Sequence, residues 1–327
     1  MPDPSASRDA PPGAPPGAPP GQPPAPLAGV LAAFAALYLI WGSTYLAIRF
    51  AVETMPPFTM AGVRFLAAGS ILFAWSRARG AAPLTGPQWR TAAVAGVLLL
   101  VGGNGLVSWA EQSVPSGITA LLIASTPMWM ALLDWARPGG VRPRAGVWAG
   151  IALGLAGIAV LVGPGGLGGE PVDPLGALAI GTASFCWALG SIYQRGAPIS
   201  ESTLLNVGGQ MLVGGVVLVV LGAVLGERFV VGAISARSGA SLAYLILIGA
   251  VVGYSAYVWL LKVTTPAKAS TYAFVNPLVA VVLGWALAGE TLSPRVLGAG
   301  ALVILAVVLI TTAGSARRAA PAPAEAP

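Results

Sequence analysis

Histidine is absent from this 327-residue chain, cysteine occurs once (Cys186), and only 9% of the residues are charged. Each scarcity excludes something. One cysteine cannot form an internal disulfide, and without histidine a transition-metal site has lost its two usual ligands. Soluble domains carry roughly a quarter charged residues, so a cytosolic enzyme is excluded. Abundance lies elsewhere: 56% of the residues are hydrophobic and the mean hydropathy is +0.81. A surface this apolar belongs in a bilayer. The net charge of +6 is spread along the chain, which fits membrane orientation rather than nucleic acid, and no nucleic-acid partner is expected.

The ends differ from the middle. Residues 1–26 hold 11 of the 29 prolines, in repeats such as Pro11-Pro12-Gly13-Ala14. With few backbone donors and no apolar stripe, this reads as a disordered, polyproline-like tail rather than a secretory signal. Residues 315–327, with Arg317-Arg318 and Ala-Pro repeats, read as a second short tail.

Between them, apolar runs separated by charged or Pro/Gly-rich breaks predict ten transmembrane helices, at about 27–50, 57–76, 89–109, 115–134, 146–163, 174–194, 202–225, 239–261, 266–289 and 294–314. Placing both termini in the cytoplasm puts 12 of the 17 Lys and Arg residues inside, as the positive-inside rule requires. The location expected is therefore the cytoplasmic membrane, multi-pass.

The two halves resemble each other. Trp41 and Trp187, Arg49 and Arg195, Arg64 and Gln210, and Gly69 and Gly215 share an offset of 146; Pro127 and Pro277, and Trp135 and Trp285, share 150. Five helices per repeat, at 27–164 and 174–314, place the halves in opposite orientations, the inverted repeat of many secondary transporters.

The run Tyr38-Leu39-Ile40-Trp41-Gly42-Ser43-Thr44-Tyr45-Leu46-Ala47-Ile48-Arg49 and the later Met60-Ala61-Gly62-Val63-Arg64-Phe65 resemble the start of EamA-type members of the drug/metabolite transporter superfamily. Val114-Pro115-Ser116-Gly117, Ser125-Thr126-Pro127, Tyr272-Ala273-Phe274-Val275-Asn276-Pro277 and Gly289-Glu290-Thr291-Leu292-Ser293 agree with it. One departure is Arg137-Pro138-Gly139-Gly140, which stands where the second half has Gly289-Glu290. The resemblance implies two five-helix repeats, an inner-membrane location and export of small metabolites or drugs through a central cavity.

Candidate cavity residues follow from helical spacing. Trp41 and Tyr45 share a face with Ser43 and Thr44 alongside; Trp187 and Ser191 are their counterparts. These groups either stack on and orient a substrate or pack the helix interface. Arg64 lies about 10 Å into its span at 1.5 Å per residue. Gln210 occupies the matching place in the second half. Arg64 either attracts a substrate anion or serves as structural glue paired with Glu53 or Glu111. Asn104, Ser108 and Glu111 form a stripe, Tyr254 and Tyr257 another, and Tyr272 and Asn276 precede Pro277. Pro127 and Pro277 are gating or hinge candidates, since proline frees a helix carbonyl.

No phosphate-binding loop suggests ATP hydrolysis, and the acidic residues fall at span ends or in loops. Transport is then either facilitated or coupled through Glu111 or Glu290, Glu290 also being a candidate for a structural loop group. No catalytic residue, metal site or cofactor is expected. The partners are a small-molecule substrate and lipid, with the chain a monomer or a homodimer. The alternative is a membrane-embedded sensor, scaffold or lipid-modifying protein.

Overall fold

The computed structural model describes residues 26–138, 140, 142–163, 172–264 and 271–315, without the side chains of 261, 262, 274 and 313–315. The two expected tails, apart from Pro26 and Ser315, lie outside the described residues. Every regular element among the described residues is helical. The helices are α1 (Leu27–Val52), α2 (Pro57–Ala78), α3 (Gly86–Ala110), α4 (Ser116–Ala136), α5 (Ala145–Val162), α6 (Pro174–Gln194), α7 (Thr203–Val224), α8 (from Ala236 to Val263), α9 (Tyr272–Ala288) and α10 (Pro294–Ser315). Nine of them, all but α9, are long and apolar enough to cross a membrane. The 17 residues of α9 fall short of that length.

Helix starts follow the residues that begin them. Proline occupies the first turn of α2, α6 and α10, where its missing N–H costs nothing. Asp173 caps α6, accepting from the backbone N–H groups of Leu175 and Gly176. Thr85 and Gln88 form a capping box on α3.

Small residues decide which helices touch. Between α2 and α7, Gly62, Gly69, Gly208, Gly215 and Gly222 recur at seven-residue steps and bring the two backbones together. A Cβ on Gly215 would stand 2.9 Å from the Leu66 nitrogen and 3.1 Å from the Gly62 oxygen. The pair is antiparallel: Gly62 meets Val219, whereas Gly69 meets Met211. A second antiparallel seam joins α5 to α10, Gly150 facing Ala306 and Gly157 facing Ala299. Without a hydrophobic drive between helices in lipid, such close approach is what holds them. Around these seams α1 packs on α8 and α9, and α6 packs on α3 and α4.

Two features depart from regular helix. The middles of α3 (Val97–Gly105) and α8 (Leu245–Val252) are π-helical. In addition, α4 breaks at Ala124-Ser125 into Ser116–Ile123 and Thr126–Ala136. Pro127 therefore opens a new helical piece, whereas Pro277 lies inside a continuous α9. The two prolines, matched in sequence, do different work on the backbone.

Candidate functional site

The α1 helix supplies the centre of the site through Trp41. Its indole N–H donates to the Gly249 carbonyl in the π-helical stretch of α8, at 3.2 Å. The widened i→i+5 ladder of a π-helix leaves a carbonyl available for such a partner. Around the indole stand Tyr254, Tyr257 and Tyr272, with ring centroids at 5.4, 5.3 and 4.9 Å. Tyr257 and Tyr272 meet edge-on at 6.0 Å. Four aromatic residues from three helices thus form one cluster. Gly253 makes the close approach feasible, since a Cβ there would lie 2.5 Å from the indole nitrogen.

Near Trp41, Ser43 donates to the Ile40 carbonyl and shares a 2.7 Å hydrogen bond with the Tyr244 hydroxyl. Thr44 bonds back to the Trp41 carbonyl at 2.6 Å. Tyr45 packs on the cluster containing Ala47, Ile48, Met60 and Val107.

Arg64 on α2 is buried, with Nε and Nη1 lacking any hydrogen-bond partner. Its guanidinium carbon lies 4.9 Å from the Phe65 ring centroid. Neither expected ion pair forms: Glu53 pairs with Arg237 at 3.6 Å, and both Glu111 oxygens are unpartnered. Asn276 is buried with Oδ1 unpartnered. Uncompensated buried polar groups are expensive, more so in a bilayer. Arg64, Glu111 and Asn276 are thus three buried polar groups left without partners for those atoms.

Glu111 departs from what its sequence position suggests. It stands at the end of α3, as an acidic residue avoiding the bilayer centre should, yet only 1% of its surface is exposed.

Glu290 has a different setting. One oxygen accepts from the Ser116 backbone N–H and hydroxyl, both at 2.7 Å, and the other from the Gly117 N–H at 2.9 Å. Arg49 Nε lies 3.7 Å away. The carboxylate caps α4 from a loop on the far side of α9. Glu227, which sequence reasoning missed, repeats the arrangement: it accepts from the N–H groups of Phe58 and Thr59 and from the Thr59 hydroxyl. Each glutamate follows a glycine with positive φ, +78° at Gly226 and +67° at Gly289, which ends the preceding helix and turns the carboxylate back. The recurring Gly-Glu pair was the available sequence signal.

Trp187, Ser191 and Gln210 of the second half, and Asn104 of the first, have other partners. Trp187 packs over Gly103 in the π-helical stretch of α3, 3.0 Å from where a Cβ would sit. It borders the same core cluster as Tyr254. Ser191 bonds to the Trp187 carbonyl and Gln210 to Gln194, each at 2.7 Å. Asn104 reaches only the Leu99 carbonyl, at 3.4 Å. Trp187 thus has no counterpart of the tyrosines that surround Trp41.

Among the described residues no group of three or more His, Cys, Asp or Glu could hold a metal ion. These features make a helical, multi-pass membrane protein whose interior carries an aromatic cluster and unpaired polar groups. The chain belongs to the EamA-like transporter family, whose model matches it twice, at residues 27–163 and 174–312. It is a membrane transporter, not an enzyme. It is 43% identical over 288 residues to the "Uncharacterized inner membrane transporter YedA" of Escherichia coli (strain K12), covering 87% of this chain and 91% of that one. It is 26% identical to the "Probable amino-acid metabolite efflux pump" of Salmonella typhimurium (strain LT2), over 84% of this chain and 92% of the relative. A protein crystal structure matches with a TM-score of 0.59 at 22% identity, over 87% of this chain and 98% of that one, a likeness of fold.

Proposed function

We propose that the chain is a ten-span secondary transporter that exports small amino-acid-like or amphipathic metabolites, or drugs, by alternating access. Its halves, 27–164 and 174–314, are inverted repeats, with α9 as the ninth span and both termini cytoplasmic. Pairing supports the repeat: α2 lies antiparallel to α7 and α5 to α10, each a helix against its counterpart. The packing of α1 on α8 and α9 is matched by that of α6 on α3 and α4. The π-helical stretches begin 148 residues apart, at Val97 and Leu245, each covered by a tryptophan of the opposite half. An inverted repeat places a substrate site where the halves meet.

The observation that carries the function is the set of unpartnered polar atoms on Arg64, Glu111 and Asn276, on three different helices. In this reading Trp41, Tyr45, Tyr254, Tyr257 and Tyr272 contact the body of the solute. Arg64 takes an anionic group, and Asn276 accepts a donor. Ser43, Thr44, Asn104, Trp187, Ser191 and Gln210 complete the cavity walls, and Pro127 and Pro277 are the points that bend. The solute reaches this site from the cytoplasm, and the chain acts as a monomer or a homodimer.

Counterflow in proteoliposomes tests this, with radiolabelled L-phenylalanine, L-threonine and a neutral aromatic amide as probes. Saturable exchange of at least one, reduced tenfold or more in Arg64→Gln or Trp41→Ala, is expected. Absence of flux for every probe would favour a sensor or scaffold; normal exchange by a well-folded Arg64→Gln would remove Arg64 from the cavity.

A further inference from the structure

Glu111 is a buried carboxyl to which the arrangement gives no donor. Its surface is 1% exposed and neither oxygen has a partner. Of the charged groups around it, Arg49 and Glu290 are committed elsewhere and Arg64 makes no hydrogen bond to it. Arg49 of α1 spends Nη1 on the backbone carbonyls of Glu111 and Val114, at 3.3 and 3.2 Å, and turns Nε to Glu290. Arg64 of α2 keeps two unpartnered nitrogens and makes no ion pair. Glu290 gives its oxygens to the start of α4. Tyr45 of α1 packs on the cluster that holds Val107, one turn before Glu111, and makes no hydrogen bond to it. No neighbour supplies the hydrogen bonds a buried carboxylate requires.

We propose that Glu111 is the proton-binding site of the transport cycle: while the end of the molecule where Glu227 and Glu290 cap α2 and α4 and Arg49 holds the carbonyls after α3 is closed, the side chain is the neutral acid. The step is one proton transfer. When that end opens, a carboxylate oxygen of Glu111 takes a proton from the aqueous phase there, and its charge is discharged before the helices close over it. When the opposite end opens to the cytoplasm and solute enters, the same oxygen gives that proton to the cytoplasmic phase and Glu111 returns to the carboxylate, so each cycle moves one proton inward. Glu290 cannot share this role, because a proton on either oxygen would displace a backbone N–H already accepted there, that of Ser116 on one and of Gly117 on the other. The inference rests on the alternating-access reading above and names the coupling group within that site.

The test does not need a substrate. Infrared difference titration of the purified full-length chain in liposomes reads protonated carboxyl groups directly, and exposed carboxylates are ionised at neutral pH. The expected result is one protonated-carboxyl signal at neutral pH, lost in Glu111→Gln and kept in Glu290→Gln. Glu111→Asp should move that signal to the aspartic-acid position, which keeps the test valid should the glutamine variant fail to fold. No such signal in the wild type, or its persistence in Glu111→Gln, would overturn the proposal. Missing counterflow for every probe would defeat the exporter reading instead and leave the infrared assignment to its own result.

Discussion

Replacing Glu290 with alanine removes more than a loop charge. The side chain is 10% exposed and accepts two backbone N–H groups and one hydroxyl at the start of α4, at 2.7–2.9 Å. Hydrogen bonds to a charged group contribute about 1.5–3 kcal/mol each, which sets an upper bound. Water reaches part of the vacated site, and breaking a buried charged arrangement costs about 3–5 kcal/mol overall. Arg49, 3.7 Å away, also loses its counterion. At about 2–4 °C per kcal/mol for a domain of some 150–250 residues, the melting midpoint should drop on the order of 10 °C. Tryptophan-fluorescence melting in detergent measures it. Glu227→Ala should behave alike, since its carboxylate caps α2 with the same three kinds of donor. The control is Glu53→Gln, whose pair with Arg237 is exposed on both sides and worth about 0–1 kcal/mol. A Glu290→Ala shift no larger than the control's would refute the capping argument.

Gly215→Leu drives a side chain into the α2 backbone, where even a Cβ would stand 2.9 Å from the Leu66 nitrogen; loss of folded protein on size-exclusion chromatography is expected, with Gly298→Ala, which faces open space, as the tolerated control. Trp41→Phe keeps the ring but loses the bond to the Gly249 carbonyl, a cost of about 0.5–1.5 kcal/mol; a lower melting midpoint and weaker counterflow should follow. The Ser113 hydroxyl, with the Leu175 and Gly176 N–H groups, holds Asp173 below its ordinary carboxylate range. The stability this adds is present above the unfolded-state value and lost as pH falls through the lower folded value. In Ser113→Ala the folded value rises toward the unfolded one, so the contribution should be smaller and its loss complete at higher pH, seen as a shallower acid-side fall in the melting-against-pH curve.

Much of this architecture is written in the apolar runs, because a spanning helix must satisfy its own backbone and needs about 20 apolar residues to do so. The meeting of Trp41 with Tyr254, Tyr257 and Tyr272 follows the same logic: aromatic residues one turn apart on neighbouring helices face a common interior. Three things were not legible. The π-helical stretches of α3 and α8 use residues that an α-helix would accept equally, since only the hydrogen-bond register changes. The pairing of Pro127 with Pro277 by position hid a difference in backbone, one opening a helix and one embedded in it. Glu111 looked peripheral because it ends a span, but α1, α2 and the α9–α10 loop close over that end and bury it.

The contacts divide into two kinds that respond differently to motion. The α2–α7 and α5–α10 seams are backbone against backbone, and sliding them by one residue would bring side chains where only glycine fits. They behave as fixed axes. One end is tied by Glu227 on α2, Glu290 on α4, Arg49 on the carbonyls after α3, Asp173 on Ser113, Ser238 on the Phe50 carbonyl and Arg295 on those of Val160 and Gly163, while Asp134–Arg195, Gln88 on the Ile199 carbonyl and Tyr38–Thr271 tie helices toward the other. Water can take up each bond of the first end when it opens, while the seams stay intact. In the alternating-access cycle proposed above, that end faces outward and is shut in this structure. Glu111 lies beneath the staples and not at the seams, which is where a proton bound at the open stage would be trapped by closure.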